Sequence, residues 1–149
     1  MREVADATLA AGGEVIGVIP QALLDREVAH HGLTELRVVP TMHVRKATME
    51  SLASSFVALP GGFGTLDELF EILTWAQLGI HQKPVGLLDT AGFWQPLVSL
   101  VDHMVREEFI PEGQTRLFVV DPDPESLLDK LAAWTPPLLG PKWVERGAT

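Results

Sequence analysis

The chain of 149 residues contains no cysteine, which excludes disulfides, thiolate metal sites and a thiol nucleophile. Basic residues are scarce as well: 11 Lys and Arg stand against 20 Asp and Glu, a formal net charge of −9. That balance argues against nucleic acid as a partner, because such binding draws on Lys and Arg neutralising phosphates. A small phosphorylated ligand needs only local positive charge. No apolar run approaches the roughly 18 residues of a membrane span, and Met1-Arg2-Glu3 opens no signal peptide, so a cytoplasmic protein away from membranes is expected. His30, His31, His43, His81 and His103 show no metal-ligand spacing, so no metal is expected, and no cofactor is expected either. Internal repeats and low-complexity tracts are missing too.

What is present is enough apolar material, 46% of residues, for one domain with a sizeable core. After an opening helical stretch, Arg2 to Ala11, short apolar runs alternate with amphipathic ones. Strands are expected at Glu14 to Pro20, Glu35 to Val39, Ser55 to Leu59, Pro84 to Leu88 and Leu117 to Val120. Helices are expected at Thr41 to Ala53, Thr65 to Leu78, Phe93 to Glu108 and Pro124 to Trp134. Such alternation predicts an α/β fold: a Rossmann-like three-layer domain over residues 1–135 with a mostly parallel sheet covered on both faces. A proline-rich tail, residues 136–149, follows. Trp75, Trp94, Trp134 and Trp143 read as core or interface residues rather than a base-stacking platform.

Two segments carry chemistry. Leu59-Pro60-Gly61-Gly62-Phe63-Gly64-Thr65-Leu66-Asp67-Glu68 joins an apolar strand to a helix through three glycines. Glycines permit positive φ and the close approach of an anion, and the helix start adds unpaired N–H groups and a positive dipole end. Within it, Thr65-Leu66-Asp67-Glu68 also fits a capping box, with threonine at N-cap and glutamate at N3. A carboxylate beside a phosphate repels it unless it is directed elsewhere, for example at a sugar that develops positive charge; both roles for Glu68 stay open. Asp67 and Glu71 read most simply as a solvated face.

The other segment is Met42-His43-Val44-Arg45-Lys46-Ala47-Thr48-Met49. Met42, Arg45, Met49 and Leu52 are spaced three, four and three apart, which places Arg45 on the apolar stripe of its helix. An arginine there either snorkels to water or meets an anion, a ligand phosphate or Glu68.

Together the two motifs, PGGxGTxxE at Pro60 to Glu68 and MHxRKxxM at Met42 to Met49, resemble the LOG family of cytokinin riboside 5′-monophosphate phosphoribohydrolases, members of which are often labelled lysine decarboxylases. The likeness extends through Glu27-Val28-Ala29-His30 and through Thr74 to Pro84, roughly from Arg2 to Pro111. It implies hydrolysis of the N-glycosidic bond of a nucleoside 5′-monophosphate, AMP or prenylated AMP, with release of free base and ribose 5-phosphate. Arg45 and Glu68 match the catalytic pair. Gly61, Gly62, Gly64 and Thr65, with Phe63 and Leu66 in the same segment, match the part that holds phosphate and ribose, and Glu27, Lys46, Asp67 and Thr74 fall at substrate-contacting positions. A homodimer or larger homo-oligomer is implied.

The family pattern also includes, ahead of these motifs, a strand with a GSS-type loop and a YGGGxxGLMG segment that this sequence does not contain. A sheet lacking its amino-terminal strands, with an open apolar edge near Glu14 to Pro20, is therefore expected. A nucleotide-binding module or inactive homologue without turnover is the alternative. An amino acid decarboxylase would need a pyridoxal lysine, and nothing marks Lys46 or Lys83 for that role.

Overall fold

The computed structural model of the chain describes residues 2–24 and 32–137, which fall into two compact units, Met1–Ala53 and Ser54–Thr149. The tail expected from residue 136 lies outside the described residues beyond Pro137.

The first unit contains α1 (Arg2–Ala10), β1 (Ile16–Pro20), the single-turn α2 (Gln21–Leu24), β2 (Glu35–Val39) and α3 (Met42–Leu52). β1 and β2 pair in parallel, from Ile16 opposite Glu35 to Pro20 opposite Val39. The strand starts two residues later than Glu14, where the Thr34 hydroxyl accepts the Val15 N–H at 2.9 Å. Gly17 is required by packing, since a Cβ there would stand 2.6 Å from Leu33 Cδ1 and 3.1 Å from Leu36 Cδ1. Val39 and Pro20 are buried, while Ile16, Leu36 and Val38 remain about two-fifths exposed. α3 has the expected extent, with the flanking residues as its caps: Thr41 Oγ1 accepts from the Val44 N–H at 3.2 Å, and Ala53 N–H donates to the Met49 and Glu50 carbonyls.

The second unit alternates β3 (Phe56–Ala58), α4 (Phe63–Gln77), β4 (Val85–Leu88), α5 (Gln95–Arg106), β5 (Phe118–Asp121) and α6 (Pro124–Ala133). Its three strands are parallel in the order β3-β4-β5. Register decides the packing. Phe56, Val85 and Phe118 stand abreast, as do Ala58, Leu87 and Val120, and because side chains alternate along a strand these two rows share one face. That face carries the core with Leu69 of α4 and Trp94, Leu97 and Val101 at and within α5. On the opposite face the middle row is Val57, Gly86 and Val119. There Leu127 and Leu131, one turn apart on α6, reach within 3.1 Å of where a Gly86 Cβ would lie. Glycine lets the helix lie close on the sheet. Val57, on the outer strand, stays 45% exposed.

The all-parallel pairing and helix-covered strands are the α/β, Rossmann-like arrangement read from the alternation. One expectation changes: among the described residues the strands form two hydrogen-bonded ladders rather than one sheet, because β1 and β2 pair only with each other. Helix ends moved by one to two residues. α5 ends at Arg106, and Glu108 at φ 60° adopts the left-handed conformation that turns the chain out of the helix.

Buried aspartates close the carboxyl ends of β4 and β5. Asp89 Oδ1 accepts from the Trp94 N–H at 2.7 Å and its Oδ2 from Gln95 Nε2, which pins the start of α5. Asp121 Oδ2 pairs with Lys130 Nζ at 2.6 Å and accepts from the Ser126 hydroxyl, while its Oδ1 accepts the Asp123 N–H. Lys130, then Ser126 and the Asp123 amide, hold the Asp121 carboxyl down from 3.8 to about 2. A lowered carboxylate pKa adds stability that is fully present above the unfolded value and lost as pH falls through the folded one. Asp121→Asn is expected to lower Tm at neutral pH by an amount that stays constant down to about pH 4 and shrinks toward pH 2. Thermal unfolding of both forms across that range checks it.

Candidate functional site

β3 ends at Ala58, and after four intervening residues the chain enters α4 at Phe63. The helix therefore begins two residues before the expected Thr65. Gly62 is the N-cap, with φ −90° and ψ −155°, and Thr65 occupies N3. The capping-box reading of Thr65 and Glu68 is overturned: Glu68 lies a turn too deep to reach the N-cap amide. Its N-cap residue supplies no side-chain bond, in contrast to α3 with Thr41 and α6, where Asp123 accepts from the Ser126 N–H at 2.8 Å. The intrahelical ladder opens with Leu66 N–H donating to Gly62 O at 3.1 Å, ahead of which the first-turn amides have no intrahelical acceptor.

The glycines act differently from the expectation of positive φ. None of Gly61, Gly62 and Gly64 is among the positive-φ residues, so backbone strain is not why they are there. A Cβ on Gly61 would overlap Thr65 Oγ1 and stand 2.9 Å from Thr65 Cβ, so the loop is folded tightly over that side chain. Apart from the adjoining residues and the helix's own backbone, nothing lies within 4 Å of where a Cβ of Gly62 or Gly64 would be. These two place no side chain in the way of an anion approaching the helix start.

Helical phase orders the rest. At 3.6 residues per turn, Gly64 is about 40° and Thr65 about 60° from Glu68 around the axis. Gly64 is one turn before Glu68, a separation of about 6 Å on the helix surface. A bare backbone at the positive end of the helix thus adjoins a carboxylate. Asp67 and Thr74 lie within about 20° of each other and at least about 100° from Glu68. They share an exposed face with Phe63, which is 93% exposed, and Phe70. The Thr74 hydroxyl donates to Phe70 O at 2.6 Å. The structure thus brings Gly61, Gly62, Gly64, Thr65 and Glu68 together and sets Asp67 and Thr74 on another face. Leu66 is half-buried against the core, a packing position rather than an open one. Glu71 is half-buried, so only Asp67 of that pair faces solvent.

Arg45 and Lys46 stand on α3 in the first unit, both partly buried. Arg45 Nη1 approaches Met42 Sδ at 3.8 Å, one turn away, which is the stripe read from the spacing. The stripe itself is more open than expected: Met42, Met49 and Leu52 are each about two-fifths exposed and α3 has no buried residue. Glu27 lies outside the described residues, as do His30 and His31. Among the described residues no group of three or more His, Cys, Asp or Glu could hold a metal ion.

Residues 1–131 match the model of a protein family described as "Possible lysine decarboxylase". The chain belongs to this family, the LOG family. It is 50% identical over 136 residues to rice (Oryza sativa subsp. japonica) "Probable cytokinin riboside 5′-monophosphate phosphoribohydrolase LOGL9", covering 91% of this chain and 60% of that one. It is 50% identical over 125 residues to the rice "Cytokinin riboside 5′-monophosphate phosphoribohydrolase LOG", 84% of this chain and 52% of that one. With Arabidopsis thaliana "Cytokinin riboside 5′-monophosphate phosphoribohydrolase LOG5" it shares 45% over 133 residues, 89% and 58% of the two chains. The chain thus spans between about half and three-fifths of these LOG relatives.

Sequence reasoning weighed His81 only as a metal ligand and passed over Asp89 and Asp121; all three are buried and hydrogen-bonded around the second unit's sheet. The signal for the aspartates was each one's place at the end of an apolar run. His81 carried none beyond its type.

Gly64→Ala separates folding from binding. Alanine is favoured over glycine in a helix by up to about 1 kcal/mol, so Tm should not fall. Phosphate contact should weaken, and titration with ribose 5-phosphate should show at least a tenfold rise in Kd; unchanged affinity would remove the loop from the site.

Proposed function

We propose that this chain hydrolyses the N-glycosidic bond of ribonucleoside 5′-monophosphates, adenine-derived ones included, to free base and ribose 5-phosphate. The observation that carries the reading is the uncapped start of α4, bare at Gly62 and Gly64, with Glu68 one turn beyond on the adjoining face. The names of the relatives support the same reaction class.

In this reading the phosphate binds against the first-turn amides of α4, Gly61 holds Thr65 close beneath the loop, and the ribose extends toward Glu68. Scission of C1′–N leaves positive charge on the sugar, and the bond's electron pair departs on the base nitrogen, which takes up a proton. Glu68 stabilises the cationic sugar and accepts a proton from the water whose oxygen bonds to C1′. Arg45, whose guanidinium stays protonated, serves as an anchor for phosphate or ribose and not as a general acid. Lys46 and Glu27 are assigned to substrate contact by their motif positions. Asp67, Thr74 and Phe63, on a separate face of α4, are assigned to the periphery of the substrate or to a second copy in a homo-oligomer.

Glu68→Gln keeps the shape and removes the charge. Base release from AMP and isopentenyladenosine monophosphate should fall by about 10²-fold or more, as for loss of a general base, while ribose 5-phosphate still binds. Arg45→Ala should chiefly raise KM. Retained kcat in the glutamine variant would sink the role of Glu68. Binding of AMP by the unaltered chain without any base release would favour a nucleotide-binding module instead.

A further inference from the structure

One buried titratable side chain in the second unit has no part in the proposed chemistry and yet touches both elements that flank the glycine loop. His81 is 6% exposed. Its Nδ1 accepts the Lys83 N–H at 3.1 Å, which places the ring proton on Nε2, and Nε2 donates to Ile72 O on α4 at 3.0 Å. Ile72 lies mid-helix, where its carbonyl is already the acceptor of the helical ladder, so the imidazole adds a second, tertiary bond to it. The ring packs at 54° against Phe56 of β3, with centroids 5.4 Å apart. Phe56 N–H in turn donates to Pro84 O at 2.9 Å, one residue beyond the Lys83 that His81 holds.

We propose that His81 is a positioning residue: a staple between β3 and α4 that fixes how far apart the two sides of the glycine loop stand, and with them the first-turn amides and Glu68. The loop itself has few means of setting this distance. Gly62 and Gly64 have no side chains to pack, and the N-cap residue makes no side-chain bond to the helix. The bond from Nε2 to Ile72 O reaches α4 one turn beyond Glu68, so its loss lets the helix shift along β3 without unfolding it. This inference rests on the functional reading above.

Two substitutions divide the imidazole's functions. His81→Gln can keep a donor where Nε2 stands and loses the acceptor toward Lys83. His81→Asn can keep the acceptor and loses the donor toward Ile72. Both remove the ring from Phe56, so a purely structural role would affect them alike. In steady-state base release, His81→Gln should retain kcat within about threefold, while His81→Asn should lose about tenfold or more with a smaller change in KM, as small displacements of a catalytic group cost up to about 10²-fold. Equal loss in both variants, or loss in neither, overturns the staple. If the unaltered chain releases no base, the reading of function fails by itself, and amide hydrogen exchange across Phe63 to Gln77 decides the staple. Faster exchange in His81→Asn than in His81→Gln supports it; indistinguishable exchange overturns it.

Discussion

The parallel register that sets Phe56 beside Val85 and Val85 beside Phe118 is the constraint on which the second unit depends. It stacks two apolar rows on one face of three short strands, and Leu69, Trp94, Leu97 and Val101 cover them. At about 25 cal/mol per Å² of apolar surface, such burial outweighs the modest net gain of a few ladder hydrogen bonds. A one-residue slip of β3 would turn Phe56 and Ala58 out and Val57 in, and the loop that follows would leave the sheet from the wrong face. The position of the glycine loop is thus a consequence of core packing three residues upstream.

From that anchor the site is built by omission. α3 and α6 begin with a side chain that accepts from their own amides, Thr41 and Asp123, and each satisfies part of its N-terminus internally. α4 begins with Gly62, which has no side chain to offer its first amides. A side-chain cap contributes about 1 kcal/mol, so its omission here is a local loss of stability at the point where a phosphate would recover it. Burial of Leu69 and Ala76 on the far side of the helix, the Gln77–Gln114 bond at 2.7 Å and the His81 contacts hold α4 independently of its cap.

Much of this could be read from the sequence. Alternation of apolar runs with helical spacing located each described strand and the long helices to within about two residues, because each buries one face and the period of that face is written in the residues. The glycine loop and its link to a helix start were equally plain. What failed was local. Thr65 looked like a cap because threonine followed three residues later by glutamate is a common helix start, yet the helix begins at Phe63 with Gly62 as N-cap, and the Thr65 side chain lies close over Gly61 instead. Positive φ at the glycines failed for a related reason: glycine is needed where a Cβ would strike something, and at Gly61 the obstacle is Thr65. His81 could not be foreseen, since its two hydrogen bonds and its ring contact join residues nine, two and twenty-five positions away.

Helical phase also decides how Asp67, Glu68 and Thr74 divide their work. A motif written along a line suggests that neighbours act together, whereas a helix turns successive residues by about 100°. Glu68 therefore adjoins the bare turn at Gly64 while Asp67, next to it in sequence, shares an open face with Phe63, Phe70 and Thr74. An aromatic ring left 93% exposed forgoes roughly 1.5–3 kcal/mol of burial, a large sum to hold at the mouth of a loop unless something covers it. One face of α4 is then suited to the phosphate and sugar, and the other to whatever lies beyond them, so a single helix orders two sets of contacts around one loop.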